Sequence, residues 1–301
     1  MANNSFNVFL NKKISPFNKT IEVDPDKSIS IRSILIGSIS LNISTVKNIL
    51  ESLDVKSAIL VCRKLGVKIK KIKPKQYKIY GKGLGSLFIK KNSVLNFGNS
   101  GTLARLLIGI LSTTPNITVN LKGDHSLNKR SMKKLIYLMN KFGTAFHPKN
   151  RFNFPLKMTS SDISSGIKYH AGVSAQLKSA VILAGLNSYG KTEIVEDEKS
   201  RDHTENILIN NKKVIKIKKK NKKIIEIFGK RQLKPIYMEV PGDPSSAAFF
   251  VALTLLNKNS KIKIKNVGIN RTRIGFYNLL KKQNAKIKFL NLKKINNEIR
   301  G

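Results

Sequence analysis

Cysteine is nearly absent from this sequence and acidic residues are scarce. The 301 residues carry one cysteine, Cys62, and 17 Asp and Glu against 57 Lys and Arg, for a formal net charge of +40. A single cysteine excludes an internal disulfide framework. Its place in the apolar run AILVCRKLG reads as a buried structural thiol rather than a nucleophile. The four histidines, His125, His147, His170 and His203, show no metal-ligand spacing with the cysteine or with one another, so neither a metal nor another cofactor is expected. Long apolar runs are also missing. The opening MANNSFNVFLNKKISPF has no continuous stretch of signal-peptide length, and no later segment approaches a membrane span, so a soluble chain with a cytoplasmic address is expected. The length suits about two domains.

The basic excess invites a nucleic-acid reading, because clustered lysines bind phosphates through counterion release. The lysines are instead spread along the chain and travel with abundant Asn and Ile, as A/T-biased coding would produce. Alternation such as KVIKIKKKNKKIIEIF (213–228) reads as a strand hairpin with one solvated face. There is no RNP motif, no zinc-finger spacing and no interleaved aromatics. No specific nucleic-acid partner is expected, only weak polyanion binding at low salt.

Four stretches repeat one design: KSISIRSILIGSI from Lys27, NSGTLARLLIGIL from Asn99, SAQLKSAVILAGL from Ser174 and SSAAFFVALTLL from Ser245. Each places small or amide side chains where a helix needs a cap and then runs into an apolar helical segment, with Ser28, Thr102, Ser174 and Ser245 as natural N-caps. The starts lie 72, 75 and 71 residues apart, a period that implies a large supersecondary unit. A helix start offers unpaired N–H groups and a positive dipole end, so anion binding is expected where several converge. A second register repeats in CRKLGVKIK (62–70), MNKFGTAFH (139–147) and KKQNAKIKF (281–289), each a helix end, a left-handed Gly or Asn, then a strand. The corresponding ILINNKKVIKI (207–217) matches the Gly slot poorly. The pattern is α/β built from repeats.

The motifs DKSISIR (26–32), GNSGTLARLL (98–107), GDHSLNKRSM (123–132), SAQLKSA (174–180), SRDHTE (200–205) and VPGDPSSAAFF (240–250) follow in order. Together they resemble the 5-enolpyruvylshikimate-3-phosphate synthase family, the 3-phosphoshikimate 1-carboxyvinyltransferases. Leu106 after Arg105, with SAQLKSA and SRDHTE, resembles the bacterial class II subgroup; Ser131 departs from the family's usual Pro. The resemblance implies transfer of the enolpyruvyl group of phosphoenolpyruvate to the 5-hydroxyl of shikimate 3-phosphate, releasing phosphate on the route to chorismate and aromatic amino acids. It implies that Lys27, Ser28, Arg32, Ser174, Ala175 (backbone only), Gln176 and Arg201 bind shikimate 3-phosphate. It likewise implies that Lys27, Asn99, Gly101, Thr102, Arg130 and Gln176 bind phosphoenolpyruvate, with Arg105 supporting that loop and Lys27 the catalytic candidate. Such cations suit two phosphorylated carboxylates. In GNSGT the glycines let backbone N–H groups approach a phosphate with no Cβ in the way. Family members are inhibited by glyphosate at the phosphoenolpyruvate site, and some tolerant ones carry Ala where this chain has Gly101.

The resemblance also implies inverse α/β-barrel lobes, each of three βαβαββ units. Residues 22–239 would form one complete lobe, with 1–21 and 240–301 giving an incomplete second one. The C-terminal part of the family, with its general base and acid, is expected to be missing. The orphan FFVALTLL would then be partly exposed. Alternatives therefore stay open: a noncatalytic phosphate-ligand-binding fragment, one half of a split enzyme completed by a second chain, or the related UDP-N-acetylglucosamine enolpyruvyl transferase. A complete protein would be a monomer.

Overall fold

The computed structural model describes residues 9, 13–219 and 221–301, so most of the opening segment read for targeting lies outside the described residues. The chain begins with β1 (Asn18–Glu22) and enters a first unit of α1 (Lys27–Ile39), β2 (Ile43–Lys47), α2 (Leu53–Lys64), β3 (Lys68–Lys73) and β4 (Gln76–Tyr80). A second unit follows as β5 (Val94–Asn96), α3 (Gly101–Ser112), β6 (Thr118–Lys122), the short α4 (His125–Asn128), α5 (Lys133–Asn140), β7 (Ala145–His147) and β8 (Leu156–Thr159). The third comprises β9 (Lys168–Ala171), α6 (Ala175–Gly185), β10 (Lys191–Glu196), α7 (His203–Leu208), β11 (Ile215–Lys219) and β12 (Lys223–Phe228). The remainder is β13 (Tyr237–Glu239), α8 (Pro244–Leu256), β14 (Lys261–Lys265), α9 (Gly275–Lys282), β15 (Lys293–Ile295) and β16 (Glu298–Arg300).

Three four-stranded sheets share one plan: β13-β2-β4-β3, β5-β6-β8-β7 and β9-β10-β12-β11. Each has one parallel pair and two antiparallel strands that complete the sheet, and in the second and third units the parallel pair flanks the first helix. The leading strand of the first sheet is β13, which arrives only after the third unit, whereas β1 pairs in parallel with β14. The sheets stay separate and enclose α1, α3 and α6, whose sequences are apolar on nearly every side and whose residues are almost all buried, as a helix packed all round requires. At Gly109 a Cβ would stand 2.5 Å from the Ala180 carbonyl, so the absence of one lets α3 and α6 approach closely.

The expected left-handed C-caps occur at Gly66, Gly143 and Asn284, with φ of 85°, 89° and 62°. After α7 no left-handed residue occurs among 209–214, in keeping with the poor Gly slot there. The hairpin foreseen in 213–228 is β11 and β12. The strand expected after Asn284 does not form: 285–290 are irregular, because no strand among the described residues offers them a ladder to bond. Phe289 packs instead against the small core of Ala247, Val267, Ile274 and Tyr277. On α8 only Pro244 and Ala247 are buried, while Phe249 and Leu256 are 79% and 86% exposed. Cys62 is buried, and burial pushes its thiol up to about 11. No helix among the described residues is long and apolar enough to cross a membrane.

Candidate anion-binding site

The helix starts are capped differently from the sequence expectation. Asp26 caps α1 through the Ile29 amide (2.9 Å), Ser100 caps α3 through the Leu103 amide (3.3 Å) and Asp243 caps α8 through the Ser245 amide (2.8 Å). Ser174 does cap α6, accepting from Leu177 at 3.4 Å. Ser28, Thr102 and Ser245 are the second residues of their helices, where the backbone is already helical, so an upstream oxygen takes the cap. Their hydroxyls are thereby released from capping.

Around α3 the loop side chains gather as one cluster. Asn99 Oδ1 accepts from Arg130 Nη2 at 2.5 Å, and Arg105 Nη1 donates to the Gly101 carbonyl at 3.2 Å. A Cβ on Gly101 would lie 2.8 Å from Arg105 Nη1 and 3.3 Å from Arg130 Nη1, so two guanidinium groups border the side of Gly101 that has no side chain. Burial lowers the Arg105 pKa, and the Arg130 charge lowers it further. Thr102 Oγ1 accepts from Gln176 Nε2 at 2.9 Å, which joins this cluster to the start of α6, where Ala175 and Gln176 are half-buried.

A second cluster forms where α1 meets α6 and α7. Arg32 is 3% exposed rather than a surface arginine, and it donates from Nε to Thr204 Oγ1 (2.8 Å), from Nη2 to Ser179 Oγ (3.1 Å) and from Nη1 to the Ser28 carbonyl (3.1 Å). Burial lowers its pKa to about 10 despite the favourable charges of Asp26 and Glu205. Arg201 is exposed, and its pKa is lowered by desolvation and then by Arg273. Lys27 stands apart from both clusters in its contacts, with Nζ 2.7 Å from Asp54 Oδ2.

Buried ion pairs that the sequence reading missed hold the SRDHTE loop. Lys178 Nζ meets Glu196 Oε1 at 2.6 Å and Glu205 Oε1 at 2.7 Å, and Lys223 Nζ meets Glu196 Oε2 at 2.8 Å. Burial would raise the Glu196 pKa, but Lys178 and Lys223 overcome it and hold the carboxyl at about 2. The Ser200 amide and hydroxyl bond the same carboxylate at 3.1 and 2.9 Å, fixing the residue before Arg201. Only the buried lysine inside an apolar helix, Lys178, could have signalled this network in advance.

The family profile of EPSP synthase (3-phosphoshikimate 1-carboxyvinyltransferase) matches residues 11–299. The chain belongs to the EPSP synthase family. Among curated relatives named 3-phosphoshikimate 1-carboxyvinyltransferase, that of Zymomonas mobilis subsp. mobilis is 36% identical over 291 residues, covering 96% of this chain and 64% of the relative. That of Petrotoga mobilis is 39% identical over 285 residues, covering 93% and 65%. The solved EPSP synthase of Acinetobacter baumannii superposes with a TM-score of 0.83 at 33% identity, covering 95% of this chain and 63% of that one. The chain thus spans just under two thirds of the length of these EPSP synthase relatives.

Proposed function

We propose that this chain serves the transfer of the enolpyruvyl group of phosphoenolpyruvate to the 5-hydroxyl of shikimate 3-phosphate. The observation that carries the reading is the pair of guanidinium groups, Arg105 and Arg130, bordering the open side of Gly101. Two cations beside a helix start and a Cβ-free backbone suit a phosphate or carboxylate far better than a neutral ligand. On this reading Asn99, Gly101, Thr102, Arg130 and Gln176 hold phosphoenolpyruvate. Lys27, Ser28, Arg32, Ser174, Ala175, Gln176 and Arg201 hold shikimate 3-phosphate, with Lys27 also facing the phosphoenolpyruvate. The 5-oxygen forms its bond to C2 of phosphoenolpyruvate, the C2–O bond to phosphate breaks, and the hydroxyl proton leaves with the phosphate. Cations at fixed positions stabilise the charge moving onto that leaving group.

Residues 22–239 are assigned as one lobe, and 1–21 with 240–301 as part of a second that closes over the substrates, in a cytoplasmic protein. The pairing of β1 with β14, away from the first unit's sheet, supports that division. Calorimetry on the 301-residue chain tests the ligand class. Binding of shikimate 3-phosphate tighter than shikimate is expected, and equal or absent binding of the two would sink the assignment.

A further inference from the structure

Arg32 is a buried cation with no carboxylate partner among the described residues. Its three acceptors, Thr204 Oγ1, Ser179 Oγ and the Ser28 carbonyl, are all neutral. The two acidic groups that favour its charge are committed elsewhere, Asp26 to Arg273 at 2.7 Å and Glu205 to Lys178 at 2.7 Å. A desolvated guanidinium would ordinarily find a carboxylate, since an uncompensated buried charge is costly. Here the charge is left unneutralised at short range.

The hydrogens around it have a single consistent arrangement. Ser179 Oγ lies 2.7 Å from the Ala175 carbonyl, which can only accept, so the hydroxyl spends its one hydrogen there. Ser179 must therefore accept from both Arg32 Nη2 and Thr204 Oγ1, the latter at 2.8 Å. Thr204 in turn gives its hydrogen to Ser179 and accepts from Arg32 Nε. Three of the guanidinium's five N–H groups are occupied in this way, and the other two have no hydrogen-bond partner among the described residues. The seat is stitched twice, because the adjacent pair Lys178 and Ser179 on α6 meets the adjacent pair Thr204 and Glu205 on α7.

We propose that Ser179 and Thr204 are positioning residues for Arg32: their hydroxyls fix the orientation of its guanidinium while leaving its positive charge to a phosphate- or carboxylate-bearing ligand. A carboxylate at either place would hold the arginine as well but would cancel the charge it presents. The proposal rests on the reading of Arg32 as a substrate contact.

Two measurements on the full 301-residue chain test it. The first is nuclear magnetic resonance of the Arg32 Nε–H with selectively labelled arginine. A slowly exchanging signal is expected in the wild type and in Thr204→Ser, and its loss in Thr204→Val, with α3 amide protection unchanged as a check on folding. An Arg32 signal indifferent to Thr204→Val would overturn the proposal whatever the ligand binding. The second is a double-mutant cycle read by calorimetry with shikimate 3-phosphate. Thr204→Val should weaken binding about tenfold, the order expected from disturbing one charge-assisted hydrogen bond. Thr204→Ser should restore it, and in an Arg32→Ala background Thr204→Val should have no further effect. An equal loss in both backgrounds would show a merely structural role. Absence of wild-type binding with the Nε–H seat intact would defeat the substrate assignment and leave the seat standing.

Discussion

Arg273 Nη1 stands 2.7 Å from Asp26 Oδ2, so the residue that caps α1 is tied to a loop 247 residues away. The same guanidinium reaches Asp243 Oδ1 at 2.8 Å, and Asp243 is the cap of α8. Burial would raise the Asp26 pKa, but His203 and Arg273 hold it below the usual carboxylate range. Arg273→Ala strands this carboxylate without its partner, and a loss of about 3–5 kcal/mol is expected. Urea unfolding checks it, and Asp26→Asn introduced into the Arg273→Ala chain should recover part of the loss.

Arg130 is exposed and bonded to Asn99, so its removal leaves no buried group unpaired. Arg130→Ala should change stability by no more than about 0.5 kcal/mol. Phosphoenolpyruvate affinity should fall by about tenfold or more, because a charge-assisted hydrogen bond is lost. Thermal melting and calorimetry, the latter in the presence of shikimate 3-phosphate, separate the two effects.

A Cβ at Gly101 would press on the tips of Arg105 and Arg130 rather than on backbone, and long side chains yield easily. Gly101→Ala should leave the melting temperature nearly unchanged while displacing both guanidinium groups. In a preparation supplied with the remaining family units, it should weaken glyphosate inhibition more than phosphoenolpyruvate binding. Inhibition constants that do not move would contradict the placement of the GNSGT loop.

Glu196 carries the clearest pH dependence. Its pKa is lowered from 4.5 to about 2 in the folded chain, so the unfolded chain binds the proton more readily. The associated stability, on the order of 3 kcal/mol, is therefore present above about pH 4.5 and is lost as pH falls towards 2. Unfolding curves between those values should show the decline, and Glu196→Gln, although less stable throughout, should show a shallower one.

The 301 residues alone should release no phosphate from phosphoenolpyruvate and shikimate 3-phosphate above background. General acid–base groups typically contribute about 10²- to 10⁴-fold each, and lobe closure is needed to exclude water. The chain spans only about 64% of a related enzyme's length. A phosphate-release assay with and without a polypeptide carrying the remaining units checks this. Robust turnover by the chain alone would show that it holds an acid and base of its own.

Features that depend on neighbours along the chain were legible in the sequence. The helices α1, α3, α6 and α8 follow from apolar runs of helical length behind small polar residues, and the turns at Gly66, Gly143 and Asn284 from residues that tolerate positive φ. The ordered motifs, through the family resemblance, singled out Gly101, Arg105 and Arg130, and the structure sets both guanidinium groups beside that glycine. Contacts across the fold were not legible. Arg32 finds its acceptors Ser179 and Thr204 at separations of 147 and 172 residues, and no local pattern specifies them. Lys27 turns to Asp54, and Asp26 rather than Ser28 caps α1, because capping geometry and ion pairing are decided by what the packed backbone brings within reach. The first sheet likewise takes β13 as its edge and gives up β1 to β14. A strand's propensity is local, but its partner is chosen only when the tertiary structure sets two edges side by side, which is also why the residues after Asn284, lacking such an edge, stay irregular.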